Sequence, residues 1–571
     1  MPELTLCEQR KALLATSGHM LVLGGPGSGK TTIALAKAAT DIGRDCLLAA
    51  QKTLFLSFAR ATVTRIVQQA EVHIGRDART RVEVNTYHGF AWDLIRSHGH
   101  LLTGQRFLRL LPPPEAASRL AGIGRADRSA ELQRLLKEEG LLGFDLFATL
   151  TAELLESSSR LCRLIADCYP FIILDEFQDT NLEEWRMISA LGKHSTLIAL
   201  ADAEQRIYEF RGADPERIGL FITEFIPTIF DFGKENNRSN GTDICDYGND
   251  VLSGQNVGKL YQHVTVTKYR FYKGEELLPV KAALLAARAR VAIRNSEWSL
   301  AVLVKSRDMM LRVSTYLGTS SKLPAIQHDV LLDPEGPALA AVLIGGLLEG
   351  AASADVLKDR LLSDVISHIR GRKGGDINQV DLKLTDALTA FRSGSKLWGS
   401  SRTSLVADVA AIAEGRIALE LTGDPERDWL TIRDLVAVSA HDKLLAVVSD
   451  ARFVRLLNRG TQLRDSLSAR WRSDGCYATA RQIVADALLQ EHFSASTRAW
   501  TGVNVMTIHK AKGKEFDEVI LFEGGRTGRF LRDNATEKDV EQARLALRVG
   551  VTRARQRTTL LTPSWASSTL L

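Results

Sequence analysis

Short apolar runs alternate with helical-period stretches along the N-terminal part of the chain. Met20 to Leu23 predicts a buried strand, a glycine-rich turn follows, and Thr31 to Ala39 predicts a helix. Leu54 to Phe58, Phe171 to Leu174 and Thr196 to Leu200 predict further strands. The third of these four runs ends in an acidic cluster and the fourth at Asp202. Strand patterns return at Thr228 to Phe232, Leu300 to Val304, Val503 to Thr507 and Glu518 to Phe522. Strands that alternate with helices predict an α/β fold with parallel sheets and ligands at their carboxyl edge.

Two helical stretches interrupt this pattern. The expected organisation is a first α/β domain in residues 1–93 and 168–227, split by a helical insert at 94–167 that contains the Pro112-Pro113-Pro114 stop. A second α/β domain is expected in 228–333 and 498–571, split by an insert at 334–497 rich in Leu, Ala and Arg at helical spacing. Within that insert Arg370-Gly371-Arg372-Lys373-Gly374-Gly375 predicts a solvated basic loop, with duplex backbone as a second reading.

Composition narrows the class. With 571 residues, 45% hydrophobic and 25% charged, the chain has the balance of a globular protein of several domains. The net charge of +5 permits a nucleic-acid partner without arguing for one. The six cysteines form no C-x-x-C pair, which leaves zinc and iron–sulfur readings unsupported and favours free thiols in a reducing cytoplasm. The longest apolar run, Gly336 to Leu348, is too short to span a bilayer, and a phosphate-loop motif already begins at Gly24 where a signal peptide would lie. A cytoplasmic protein without a membrane partner is expected.

Gly24-Gly25-Pro26-Gly27-Ser28-Gly29-Lys30-Thr31 fits G-x-x-x-x-G-K-[ST] in full, between a predicted strand and a predicted helix. Glycines let backbone N–H groups close around phosphate oxygens, and the helix adds its positive end. Lys30 is then expected to reach the β- and γ-phosphates of ATP and Thr31 to ligate Mg²⁺. At the end of the third strand, Asp175 is expected to hold Mg²⁺ and Glu176 to act as base on the attacking water.

Asp175-Glu176-Phe177-Gln178-Asp179-Thr180-Asn181 resembles the D-E-[FY]-Q-D-[TL]-N motif of superfamily 1 helicases of the UvrD/Rep/PcrA kind. Further motifs follow in that family's order. Glu8-Gln9-Arg10 resembles the Q motif, Leu56 to Ala61 motif Ia, Thr86 to Phe90 motif Ib and Asp202 to Ala213 motif III. Asn236-Asn237-Arg238-Ser239 is similar to motif IV, Thr507 to Phe516 to motif V and Val549 to Arg555 to motif VI.

The resemblance implies two RecA-like P-loop domains, each with a mostly helical inserted subdomain, and ATP in the cleft between them. It implies that Gln9 reads the base, with Thr32 beside it, and that Gly513 and Glu515 contact the ribose. Gln205 would sense the γ-phosphate, while Arg238 and Arg553 would be the arginines that complete its charge stabilisation on closure. It implies a single-stranded track of Ser57, Phe58, Arg60, Thr86, His88, Phe210, Arg211, Thr507 and His509, which would stack bases and hold backbone. The implied activity is ATP-dependent 3′-to-5′ translocation on single-stranded DNA and unwinding at duplex junctions.

The chain departs from the family pattern in places. Thr32 stands where Arg is frequent, Asn237 where many members have Tyr, Arg206 for Ser and Phe210 for Trp, while Arg548 is an apparent extra residue ahead of motif VI. Two other readings stay open on sequence alone. One is an ATPase subunit of a defence or repair complex with a nuclease partner, as in Gabija-type systems, unwinding weakly by itself. The other is a nucleotide-sensing scaffold without turnover.

Overall fold

Apolar runs without polar alternation can be satisfied only by strands covered on both faces, and they fold that way. A computed structural model describes residues 7–58, 60–73, 75–104, 108–202, 214, 216–233, 238–270, 275–294, 297–320, 322–331, 335–452, 461–493, 500–532 and 534–571. The chain divides into two compact units: Met1–Leu94, Ala148–Leu332 and Ala495–Leu571 form one, Ile95–Phe147 and Asp333–Ser494 the other.

The first unit is α/β and contains two six-stranded sheets. One comprises β1 (Met20–Leu23), β2 (Thr53–Ser57), β3 (Val82–Thr86), β4 (Phe171–Leu174), β5 (Thr196–Ala201) and β6 (Thr228–Asp231), in the order β3-β2-β4-β5-β1-β6. The other comprises β7 (Val264–Tyr269), β8 (Ser299–Val304), β9 (Asp329–Val330), β10 (Gly502–Thr507), β11 (Phe516–Phe522) and β12 (Ala554–Pro563), in the order β9-β10-β8-β11-β12-β7. Every pairing in both sheets is parallel. Three interior strands, β2, β8 and β11, are buried along their whole length. All carboxyl ends in a sheet therefore open on one edge, and the phosphate loop and the acidic turn at Asp175 lie there.

The expected α/β class with parallel sheets holds, but two placements differ. The strand at Thr228 was expected to open the second sheet; it pairs instead with β1, Met20 opposite Thr228, and closes the first. Hydrophobic period gives a strand but not its neighbour, and the short Arg217–Phe225 helix brings the chain back beside β1. The first helical insert was expected to reach residue 167, yet the Phe147–Ser157 and Ser159–Cys168 helices contribute Leu154, Leu155, Leu161 and Ile165 to the first sheet's core. An amphipathic stripe looks the same whichever core it covers.

The second unit is helical, with one two-stranded parallel sheet, Arg109–Leu111 against Leu141–Gly143. The prolines expected as a stop begin a helix, Pro113–Arg119, in which proline at the first position loses no hydrogen bond. The apolar run of the sequence becomes the central helix Glu335–Glu349, with Leu343, Ile344 and Leu348 fully buried. Gly345 lets it lie close to a neighbour, because a Cβ there would come within 3.0 Å of Val484. No helix among the described residues is long and apolar enough to cross a membrane.

The basic stretch in this unit is a solvated turn only in part: Lys373 is exposed in the turn at 372–375, while two of its arginines are engaged. Arg370 ends the Ala354–Gly371 helix and donates to Asp386 at 2.6 Å and to Thr385 at 3.1 Å, and Arg372 donates to Asp450 at 2.7 Å. Asp450 is buried and also pairs with the buried His368 at 3.0 Å. Asp450→Ala strands both partners and is expected to cost roughly 1–3 kcal/mol, read as a lower midpoint of the first transition in urea unfolding; an unshifted midpoint would show the cluster to be energetically idle.

Candidate functional site

The turn after β1 closes because Gly27 and Gly29 adopt φ of +78° and +86°, where other residues are strained. Gly29 caps the Lys30–Gly43 helix. The Ser28 hydroxyl is buried with no hydrogen-bond partner among the described residues. Lys30 Nζ donates to the carbonyl oxygens of Gly24 at 2.6 Å and Gly25 at 3.1 Å. Burial draws this ammonium below its ordinary pKa, against the opposing charges of Asp202, Glu176 and Asp175.

The acidic turn after β4 faces this loop. Asp175 is buried and accepts from Ser57 Oγ at 3.0 Å. Glu176 holds the left-handed φ of +52° and accepts from Gln178 Nε2 at 2.6 Å, while Gln178 Oε1 accepts from the Asp202 backbone N–H at 3.0 Å. Lys512, from the turn after β10, places Nζ 2.5 Å from Asp179 and 3.7 Å from Glu176. Burial alone would raise the Glu176 carboxyl, but the charges of Lys512 and Lys30, the Gln178 amide and Arg553 together hold it down. Burial raises Asp179, with Lys512 opposing.

Two arginines complete the setting. Arg238 Nε donates to Glu515 at 2.8 Å and its Nη1 to the Thr552 carbonyl at 3.2 Å. Arg553 is 2% exposed, and its Nε donates to the Val549 carbonyl at 3.0 Å. A cavity of about 340 Å³ lies among these groups. Pro26 to Thr32, Thr62, Gln69, Asp175, Glu176 and Asp202 line it, together with Arg238, Gly513, Glu515 and Arg553.

Of the expected nucleotide residues, Gly24 and Gly25 stand behind this lining and hold Lys30. Gln9 is exposed and donates to the Asp231 carbonyl at 2.9 Å. Thr62 and Gln69, seven apart on the Arg60–His73 helix, share one face and enter the cavity without any motif announcing them. Lys512 and Asp202 lie inside matched motifs, yet their buried partners, Asp179 for the first and Arg548 for the second, become visible only in three dimensions. Gln205 falls outside the described residues.

The chemistry of the donor set suits a magnesium–nucleotide complex. Among the described residues no cluster of three or more His, Cys, Asp or Glu could hold a metal. Thr31 and Asp175 would supply two oxygens to Mg²⁺, and phosphate and water would supply the rest, which is its ordinary habit.

The expected nucleic-acid residues divide. Phe58, Thr86, His88, Thr507 and His509 are half-buried and sit at or just beyond the carboxyl ends of β2, β3 and β10. Phe58 stacks on Tyr87 with centroids 4.4 Å apart, so one of its faces is already covered. Burial lowers the His509 pKa, and Lys305 and Lys512 add to that. Ser57 differs from these: it is fully buried, and its hydroxyl donates to Asp175. Phe210, Arg211 and the Arg60 side chain lie outside the described residues.

If the turn works as a phosphate cradle, its backbone conformation is indispensable. Gly29→Ala forces a left-handed Cβ at a cost of about 1–2 kcal/mol, which corresponds to roughly 5- to 30-fold weaker binding. Titration with a fluorescent nucleotide analogue checks this, with Gly43→Ala, where a Cβ meets open space, as the control expected to bind normally.

Known proteins place this architecture. The model of the UvrD/REP helicase N-terminal domain matches residues 6–116 and 113–226, and that of the UvrD-like helicase C-terminal domain matches 463–566. The chain is 22% identical over 634 residues to a probable DNA helicase II homolog of Rickettsia conorii, covering 96% of this chain and 91% of the relative. A similar relation, 22% over 638 residues, holds to its counterpart in Rickettsia felis. To the ATP-dependent DNA helicase PcrA of Leuconostoc citreum it is 23% identical over 294 residues, 44% of this chain and 39% of the relative. Matched at both ends by paired domain models, with the motifs between them in order, the chain belongs to the UvrD/REP family of helicases.

Proposed function

We propose that this protein is an ATP-dependent DNA helicase that couples hydrolysis to 3′-to-5′ movement along single-stranded DNA and separates strands at duplex junctions. One observation carries the reading. Arg553, which precedes β12 of the second sheet, and Arg238, held there by Glu515 and the Thr552 carbonyl, enter the same cavity as Lys30, Asp175 and Glu176, which follow strands of the first sheet. A site built in two halves can turn over only when both halves meet, and so ties hydrolysis to relative movement.

The residues divide the work. The loop and Lys30 bind phosphate, and Thr31 and Asp175 hold Mg²⁺, which would supply Lewis-acid neutralisation of the phosphate charge. Ser57 fixes the Asp175 carboxylate. Glu176, kept ionised by the cations around it, orients the water and accepts its proton. Arg238 and Arg553 take up the charge that develops on the transferring group. Phe58, Thr86, His88, Thr507 and His509 carry the strand along the carboxyl edges, with His509 acting as a neutral imidazole. The polarity and the preference for DNA follow the family.

An ATPase subunit that acts with a nuclease would use the same site, and unwinding by the isolated chain separates it from an autonomous helicase. Its first test is ATP hydrolysis with and without single-stranded DNA across a salt series. Strong stimulation is expected, weakening with salt as phosphate contacts require. Glu176→Gln should lower turnover by roughly 10²–10⁴. Turnover indifferent to DNA would end the proposal.

Lys512 supplies a second test, with a definite sign. Removing its charge by Lys512→Met takes away the largest of the influences that hold the Glu176 carboxyl down, so the carboxyl protonates at higher pH. The acid limb of the ATPase pH profile should therefore move upward by about 1–3 pH units. An acid limb that stays in place would mean that Lys512 does not govern the base.

A further inference from the structure

The ATPase reading leaves Arg548 unused, and the sequence offered it only as an apparent extra residue. It occupies the last turn of the Glu537–Val551 helix and is 2% exposed. It does not line the nucleotide cavity. Its Nη1 lies 3.6 Å from Oδ1 of Asp202, the residue that follows β5. Its Nη2 donates to Asn249 at 3.2 Å and stands 3.9 Å from where a Cβ on Gly25 would lie.

These partners come from different places. Asp202 ends a strand of the first sheet and Gly25 belongs to the phosphate loop. Asn249 sits on the Ile244–Ser253 helix, which packs in the core of the second sheet. A guanidinium stays charged when buried and is costly to desolvate without an opposite charge. The burial of Arg548 is therefore favourable while Asp202 faces it, and Asp202 faces it only while the two sheets are together. From Asp202 the contacts run on to chemistry: its N–H donates to Gln178, and Gln178 donates to Glu176. On the other side Arg553 is tied to the same helix through the Val549 carbonyl, so a shift of that helix carries Arg553 with it.

We propose that Arg548 is a positioning residue that pairs with Asp202 to dock the Arg553-bearing helix against the first sheet, and so sets the reach of Arg553 into the nucleotide cavity. The inference rests on the ATPase reading above. It assigns Arg548 no contact with the nucleotide; its effect runs through Arg553 and Asp202.

The test is a double-mutant cycle on the full chain, with R548M, R548K, D202N and their doubles. R548M should lower DNA-stimulated kcat by about 10- to 100-fold, the scale of a misplaced catalytic group. Binding of a fluorescent ADP analogue should change less than about threefold, because the lost interaction belongs to the transition state. R548K should recover much of kcat by restoring the charge, which a merely space-filling role would not require. The R548M/D202N double should be no slower than the slower single. If R548M is too unstable to assay, R548Q and R548Q/D202N decide: the double should match the slower single, whereas multiplied losses overturn the proposal. A wild type without turnover removes the reading beneath it. A wild type that turns over while R548M keeps kcat within about twofold overturns the proposal alone.

Discussion

Burying many charges in one cleft is the constraint on which the rest of this structure depends. Asp175, Asp179, Asp202, Lys512, Arg548 and Arg553 are all nearly excluded from water. No single charge could remain there uncompensated, because desolvation would neutralise it or expel it. Four of them are matched across the strand ends, Lys512 with Asp179 and Glu176, and Arg548 with Asp202. The pairs span the two sheets, so the same contacts that satisfy the charges also hold the sheets together. Parallel topology makes this possible by placing the loops of every strand on one edge.

How far this was legible in the sequence follows from the kind of signal each part leaves. Buried parallel strands write themselves as unbroken apolar runs, and β1, β4, β5 and β8 lie close to their predicted spans. Amphipathic β7, with exposed Thr265 to Lys268 between two buried ends, and two-residue β9 leave no such run. Which sheet a strand joins is not local information, hence the misplaced β6. The phosphate loop is contiguous, so its geometry follows from its own glycines. Thr62 and Gln69 contribute by lying on one helical face across the cleft, and no spacing in the chain announces them.

Ser57 shows the same limit from the other side. A motif identifies a segment and assigns its residues a common task, whereas a strand sends successive side chains to opposite faces. Ser57 and Phe58 are neighbours in one motif, yet the hydroxyl is buried on Asp175 and the ring stands half-exposed against Tyr87. The segment serves the nucleotide site through one residue and the proposed strand track through the next. Such adjacency is a direct physical route by which a strand on the track could bear on the carboxylate proposed to hold Mg²⁺.

The pairing of Glu515 extends this logic to the order of events. Glu515 holds Arg238 at 2.8 Å and lies 3.4 Å from Arg555. If the ribose engages Glu515 and the γ-phosphate engages Arg238, nucleotide entry must exchange this ion pair for contacts to the ligand. The exchange conserves charge compensation, because the phosphate brings the anion that Arg238 loses. Arg238 would then have two anions to pair with, Glu515 and the phosphate. Such an exchange of partners would spare the proposed motor an unpaired Arg238 in the cleft.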